Sequence, residues 1–169
     1  FFHCAKLTSV TFGAGTGTIG ANAFAGTGIK NLVLTEGFTS IGKEAFLSCT
    51  ALAAVTFPAS LTSIDATAFN GCSALAQLSL NAGSNSFALE NGVLYNKDKT
   101  EIILMSATLT SFELPASFTS DAFLQALKAN TGLQSVTVAQ GNTAYQAAFG
   151  ALYDMEWNLV FVPTGMTTF

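Results

Sequence analysis

The stretch FLSCTALAAVTFPASLTSIDATAF, residues 46–69, decides the fold because its apolar residues return at the same offsets elsewhere in the chain. In this stretch the apolar residues are Phe46, Cys49, Leu52, Val55, Phe57, Ile64 and Phe69. One repeat earlier, the same offsets hold Ile29, Leu32, Leu34 and Ile41. One repeat earlier again, they hold Phe1, Cys4, Leu7, Val10, Phe12, Ile19 and Phe24. The series continues after Phe69 with Cys72, Leu75, Leu78 and Leu80. Equivalent phenylalanines therefore recur about every 23 residues, which indicates a tandem repeat.

Each repeat predicts one strand followed by turns. The segment L-x-x-V-x-F places apolar residues at alternate positions, as a strand with one buried face does. In residues 46–69 a turn at 58–60, a short LTSI segment and a helical turn at ATAF follow. One repeat has too little apolar surface for a core, so we expect the repeats to stack side by side as a solenoid with a parallel sheet and short helical turns opposite it.

The second half of the chain stretches the same pattern with two insertions. Residues 110–120 resemble 53–63, residues 127–138 resemble 69–80, and the inserted residues 90–112 resemble 148–169. Each insertion predicts a β-hairpin, the first around a turn at 96–99. We expect a single solenoid, and a helix at 120–129. The solenoid is expected to consist of regular repeats at 1–80, hairpin-like units at about 81–111 and 139–168, and an irregular repeat at 112–138.

Residues 43–64, KEAFLSCTALAAVTFPASLTSI, resemble the repeat of the BspA-like leucine-rich repeat family, roughly A-F-x-x-C-x-x-L-x-x-I-x-I-P-x-x-(V/L)-x-x-I-G. SIGKEAF at 40–46 supplies the Ile-Gly step, and NGVLYNKDKTEII at 91–103 is similar to a connecting segment of such arrays. Thr27, Asp121 and Ala126 depart from the pattern. The resemblance implies a leucine-rich-repeat solenoid from a surface protein of a host-associated bacterium or protist. It also implies adhesion to extracellular matrix proteins or neighbouring cells.

The glycines of the first repeat fit the dinucleotide fingerprint G-x-G-x-x-G at Gly15, Gly17 and Gly20. Residues 12–24 align without a gap on 57–69, where the same positions hold Ser60, Thr62 and Asp65. About nine residues separate Gly20 from the next strand, fewer than a parallel crossover through a helix requires. The motif therefore predicts a repeat turn, and we expect no bound cofactor.

Composition argues against several other functions. Charged residues make up 9% of the chain, the net charge is −4, and all six basic residues are lysines, so no basic track for nucleic acid is expected. A metal site or a catalytic nucleophile would need partners that this chain, with His3 as its only histidine, does not offer in sequence. The longest apolar runs, 102–105 and 159–162, are far shorter than the ~20 residues of a membrane helix. We expect neither an enzyme nor membrane insertion by this segment.

Cys4, Cys49 and Cys72 occupy one repeat position. They predict a column of buried free thiols beside the phenylalanines, because free cysteine is among the most buried residue types. A disulfide between Cys49 and Cys72 of adjacent coils is the alternative.

The binding surface is expected on the concave face of the strands, where small neutral side chains form a row. Trp157, at the turn of the second insertion, is either a recognition residue or packed against Tyr153 or a following coil. The function predicted is binding of a protein partner, with a glycan as a possibility, and a structural spacer rod is the alternative. The candidate residues are Thr11, Asn31, Thr56, Gln77, Ser79, Glu113, Thr137 and Trp157.

The ends of the sequence fall within repeats, at Phe1 and at 167–169. We therefore expect a monomer with at most weak end-to-end association, since terminal coils normally need caps. Residues 1–20 lack the charged start and apolar run of a signal peptide. The expected location, extracellular or on the cell surface, follows from the family resemblance.

Overall fold

The computed structural model describes residues 1–119 and 123–167, and its chain winds as a β-solenoid in which each coil lies beside the previous one. The described helix is α1 (Leu124–Ala129). The strands are β1 (Gly17–Ile19), β2 (Asn31–Val33), β3 (Phe38–Ile41), β4 (Ala54–Phe57), β5 (Ser63–Ile64), β6 (Gln77–Leu80), β7 (Phe87–Glu90), β8 (Val93–Asn96), β9 (Ile102–Met105), β10 (Ser111–Leu114), β11 (Ser135–Val138), β12 (Tyr145–Ala148), β13 (Ala151–Asp154) and β14 (Leu159–Phe161).

Two parallel sheets run along the regular repeats, so the predicted solenoid is confirmed. The main sheet, β2–β4–β6, pairs Leu32 with Val55 and Val55 with Leu78, and these side chains turn toward the core. The second sheet, β1–β3–β5, is built from the short TSI-type segments and aligns their isoleucines in register. From the sequence one sheet was expected, because three-residue segments such as TSI are too short to show alternation.

Phenylalanine rings stack along the regular coils, one from each coil, and all but the exposed Phe1 are buried. Ring centroids of Phe1, Phe24, Phe46 and Phe69 follow one another at 5.4, 5.4 and 5.2 Å, with interplanar angles of 12° or less. The segments that carry them are hydrogen-bonded turns rather than the expected helical turns. Their backbone groups bond to the next coil, as Phe46 N–H does to the carbonyl of Ala68 at 2.8 Å.

The two insertions fold as three-stranded antiparallel sheets, β7–β8–β9 and β12–β13–β14. The predicted hairpin around residues 96–99 is present as β8 and β9. A third strand extends each hairpin. In the first insertion β7 pairs with β8 across a two-residue turn, and in the second insertion β12 pairs with β13 in the same way.

The irregular repeat contributes β10 and β11, which form a separate parallel pair. The predicted helix at 120–129 is described only from Phe123 onward, where α1 covers its last six residues, and Asp121 lies outside the described residues. Ala126 packs against a second core cluster that includes Phe112, Phe123 and Tyr145. No helix in the described residues is long and apolar enough to span a bilayer.

Candidate binding surface

The exposed face of the main sheet carries four of the predicted binding residues. Asn31, Gln77 and Ser79 are exposed and Thr56 is half-buried, while the alternate residues of the same strands point into the core. Val33 shares this face and is 57% exposed, although valine is usually buried in a strand. In the parallel ladder Val33 is paired with Thr56, and Thr56 with Ser79. One column of the face therefore combines an apolar and two hydroxyl side chains.

The predicted row does not continue unbroken to the other candidates. Glu113 and Thr137 are exposed and lie opposite each other in the β10–β11 pair, but this pair is not hydrogen-bonded to β6. The first insertion, β7–β9, enters the chain between β6 and β10. The expectation of a single row was therefore wrong, because an inserted sheet interrupts the strand stacking.

Thr11 is exposed but lies outside the main sheet, which corrects its predicted placement in a strand. Residues 7–12 form no strand, and a hydrogen bond from the Lys30 N–H to the carbonyl of Thr8, 3.2 Å long, connects this stretch to the next coil. The glycine-rich residues 13–17 that follow have wide backbone freedom, which does not favour a regular strand here.

Trp157 is 61% exposed at the turn between β13 and β14. Its ring lies beside that of Tyr153, with the centroids 5.6 Å apart and the ring planes tilted by 55°. The structure thus combines the two alternatives for this residue, since it folds back on Tyr153 and still presents most of its surface. Phe149, at the turn between β12 and β13, is 82% exposed and was not among the predicted candidates.

A cleft of about 540 Å³ lies between the first insertion and β10, and Glu113, on the β10 side, is the predicted candidate that lines it. Tyr95 is buried there, and burial followed by the charge of Glu90 raises the pKa of its hydroxyl to about 12. Glu90 forms an ion pair with Lys99. The residues that matter most for the shape and charge of this cleft are Glu90, Val93, Tyr95, Ser111, Phe112 and Glu113.

The cysteines are free thiols, so the disulfide alternative is not formed. Cys49 and Cys72 are buried, and each donates a hydrogen bond through Sγ to the carbonyl of the phenylalanine one coil earlier, Phe24 at 3.1 Å and Phe46 at 3.2 Å. The thiol of Cys49 and burial together raise the pKa of Cys72. Cys4 is exposed, which breaks the expected column at its first member.

The glycine motif adopts repeat geometry. Gly17 begins β1, and the residues after Gly20 form a turn, so the segment is not a strand, loop and helix around a phosphate. The described residues contain no group of three histidine, cysteine, aspartate or glutamate side chains placed to hold a metal ion. His3 is exposed at a turn beside Phe2.

Residues 1–124 match the model of the BspA type leucine rich repeat region, in six copies. The chain belongs to the BspA-type leucine-rich repeat family. No curated protein matches it. A leucine-rich repeat protein from Eubacterium ventriosum is similar in structure, with a TM-score of 0.62, 25% identity, and coverage of 73% of this chain and 33% of that one.

Two further solved structures show a lower similarity to this leucine-rich repeat chain. The pneumococcal vaccine antigen PcpA is 23% identical with a TM-score of 0.49, covering 73% of this chain and 37% of PcpA. A leucine rich cell surface protein from Faecalibacterium prausnitzii is 20% identical with a TM-score of 0.46, covering 65% and 35%. The chain thus spans about a third of the length of the solved proteins it resembles.

Proposed function

We propose that this chain is a non-catalytic module that binds a protein partner, at the cell surface or outside the cell, through the exposed face of its main sheet. The observation that supports this proposal is how the polar side chains are used. Asn31, Gln77 and Ser79 make no side-chain hydrogen bond within the part of the chain that the structure describes. Their donors and acceptors are therefore open to a partner.

Polar side chains elsewhere on the regular repeats behave differently. On the second sheet and its corners they bond to the neighbouring coil, as Thr39 does to the carbonyl of Gly17 and Thr62 to that of Thr39. Ser60 accepts from Gly37 N–H and donates to the carbonyl of Phe38. These side chains hold the solenoid together, whereas those of the main sheet do not serve the fold.

The family resemblance supports the location and the kind of partner, namely proteins of a host matrix or of neighbouring cells. The test is binding of the purified chain to an array of matrix proteins and glycans. The triple variant Asn31→Ala, Gln77→Ala and Ser79→Ala should lose binding. A matched triple of exposed polar residues away from this face, Asn85→Ala, Gln140→Ala and Thr143→Ala, should keep it.

A spacer rod that presents another domain is the second candidate. The observation that favours it is the continuous bonding from coil to coil, including the stack of rings from Phe1 to Phe69. A rod predicts no saturable binding to any protein or glycan on the array. It also predicts that Trp157→Ala, which removes the exposed tryptophan, leaves the binding signals on the array unchanged.

A further inference from the structure

Among the described strands, β10 has a hydrogen-bonded neighbour on one edge and none on the other. It pairs with β11, while the main sheet ends at β6 and no described strand bonds to the other side of β10. In the regular repeats the corresponding strand β4 lies between β2 and β6 and is paired on both edges. The first insertion thus leaves an open strand edge in the interior of the array rather than at its end.

The register identifies the backbone groups at this open edge. The carbonyls of Thr110 and Leu114 accept hydrogen bonds from Ser135 N–H at 3.2 Å and Ala139 N–H at 2.9 Å. Along a strand of a parallel pair, successive residues direct their N–H and C=O to opposite edges. Ser111 and Glu113 therefore direct theirs away from β11, and no described residue bonds to these four groups.

The cleft of about 540 Å³ lies along this edge. Ser111, Phe112 and Glu113 all line it, and three consecutive residues whose side chains alternate between faces can do so only when the strand presents its edge. Unpaired strand edges are templates for another strand. The cleft therefore offers backbone donors and acceptors at the spacing that an extended peptide requires.

The walls of the cleft add a chemical preference. Glu113 is exposed and has no ion-pair partner among the described residues, and Glu90 stands on the opposite wall with Lys99 beside it. Tyr95 is only 5% exposed, yet its hydroxyl has no hydrogen-bond partner in the described part of the chain. That oxygen is not fully enclosed, and Tyr95 is one of the residues that line the cleft.

We propose that the open edge of β10 binds an extended segment of a partner protein by strand addition, with a lysine or arginine side chain of that segment placed between Glu113 and Glu90. The aliphatic part of such a side chain packs on apolar walls while its charge stays at the carboxylates. The Tyr95 hydroxyl supplies a further polar contact. This proposal rests on the proposed function, because it names the chemistry of the protein partner.

The test is an NMR titration of the ¹⁵N-labelled full chain with the blocked peptide acetyl-Thr-Val-Thr-Lys-Val-Thr-Val-amide. We expect the amide resonances of Ser111 and Glu113 to shift, and those of Asn31 and Gln77 to remain. A peptide with glutamate in place of lysine should bind more weakly. A peptide that is N-methylated at the alternate amides facing β10 cannot donate hydrogen bonds to this edge, so it should not shift these resonances.

Charge reversal provides the matched variants. Glu113→Lys should lower the affinity for the lysine peptide about tenfold, whereas Glu156→Lys, which changes the net charge equally at a distant turn, should leave it within about twofold. Circular dichroism of both variants checks that the fold is retained.

Two outcomes would overturn the proposal. Equal binding of the N-methylated peptide would mean that charge alone holds it, without strand addition. No shift of the Ser111 and Glu113 amides with any peptide would mean that Glu113 only guards the edge against pairing. Either result leaves the array experiment on the main sheet unaffected, so failure of this inference and failure of the proposed function are distinguishable.

Discussion

The side-chain amide of Asn81 donates a hydrogen bond of 2.8 Å to the carboxylate of Glu36, across an intervening coil. That coil supplies two more donors, the N–H groups of Ala59 at 2.9 Å and Ser60 at 3.0 Å. One carboxylate thus connects three consecutive coils at a corner of the solenoid. Asn81 first, and then the Ala59 and Ser60 backbone, lower the pKa of Glu36 from 4.5 to about 2.

The pKa of Glu36 predicts a loss of stability in acid. Because the folded-state pKa is lower than the unfolded value, the contribution is fully present above about pH 4.5 and is lost as the pH falls toward 2. Glu36→Gln should therefore destabilise the protein at pH 7, and its difference from wild type should shrink toward pH 2. Urea denaturation at pH 7, 4 and 2.5 measures this, with Glu156→Gln as the control. A difference that stays constant over this range would contradict it.

The ring stack predicts a large loss of stability when Phe46, a fully buried member in its interior, is truncated. Phe46 is fully buried and stacks on Phe24 and Phe69, so Phe46→Ala leaves a cavity that neighbouring coils cannot close. We expect a loss of about 3–5 kcal/mol in the free energy of unfolding. Phe2→Ala, at a 59% exposed position, should change it by less than about 0.5 kcal/mol. Urea denaturation compares the two, and a similar effect of both would be the contrary result.

The fold was predictable because its determinants recur locally. The spacing of Phe24, Phe46 and Phe69 sets the length of a coil, and the alternation around Val55 shows which side chains face out. The exposure of Gln77 and Ser79 followed from that alternation. The cleft beside β10 was not predictable, because it depends on how an inserted sheet packs against the strand that follows it.

The turns of the two insertions predict a stabilising substitution. Phe149 and Gly150 have φ of 51° and 80°, and the sister turn Asn91–Gly92 has 49° and 77°. Positive φ at both central residues is a type I′ turn, for which Asn-Gly is the preferred pair, whereas phenylalanine is strained there. Phe149→Asn should therefore raise the free energy of unfolding by about 1 kcal/mol.

The reciprocal change provides the control for this turn. Asn91→Phe introduces the strained residue into the first insertion and should lower the free energy of unfolding by a similar amount, about 1 kcal/mol. Thermal and urea denaturation measure both variants. If both variants lower the stability, the backbone of the turn does not decide the preference, and the exposed ring of Phe149 must have a stabilising contact.

The burial of the thiols predicts their reactivity. In the native protein one cysteine, Cys4, should react rapidly with iodoacetamide, because Cys49 and Cys72 are enclosed and hydrogen-bonded to carbonyls. After denaturation without reductant, mass spectrometry should find three labelled thiols per chain. Cys4→Ser should abolish the rapid phase. Fewer than three labels after denaturation would show a disulfide and contradict the free-thiol structure.

Removing the polar groups of Tyr95 and Asn130, two buried residues, should affect the free energy of unfolding differently. The hydroxyl of Tyr95 has no hydrogen-bond partner in the described residues, so Tyr95→Phe should change the free energy of unfolding by less than about 0.5 kcal/mol. Asn130 donates to the carbonyl of Ser106 at 2.8 Å and accepts from Gly132 N–H at 3.0 Å. Asn130→Ala leaves the Gly132 N–H without this partner and removes one of the two donors to the Ser106 carbonyl, which still accepts from Leu109 N–H at 3.3 Å, so it should cost about 1–3 kcal/mol. Urea denaturation tests the pair, and a cost for Tyr95→Phe equal to that of Asn130→Ala would mean that the Tyr95 hydroxyl already serves the fold and is not held open for a ligand.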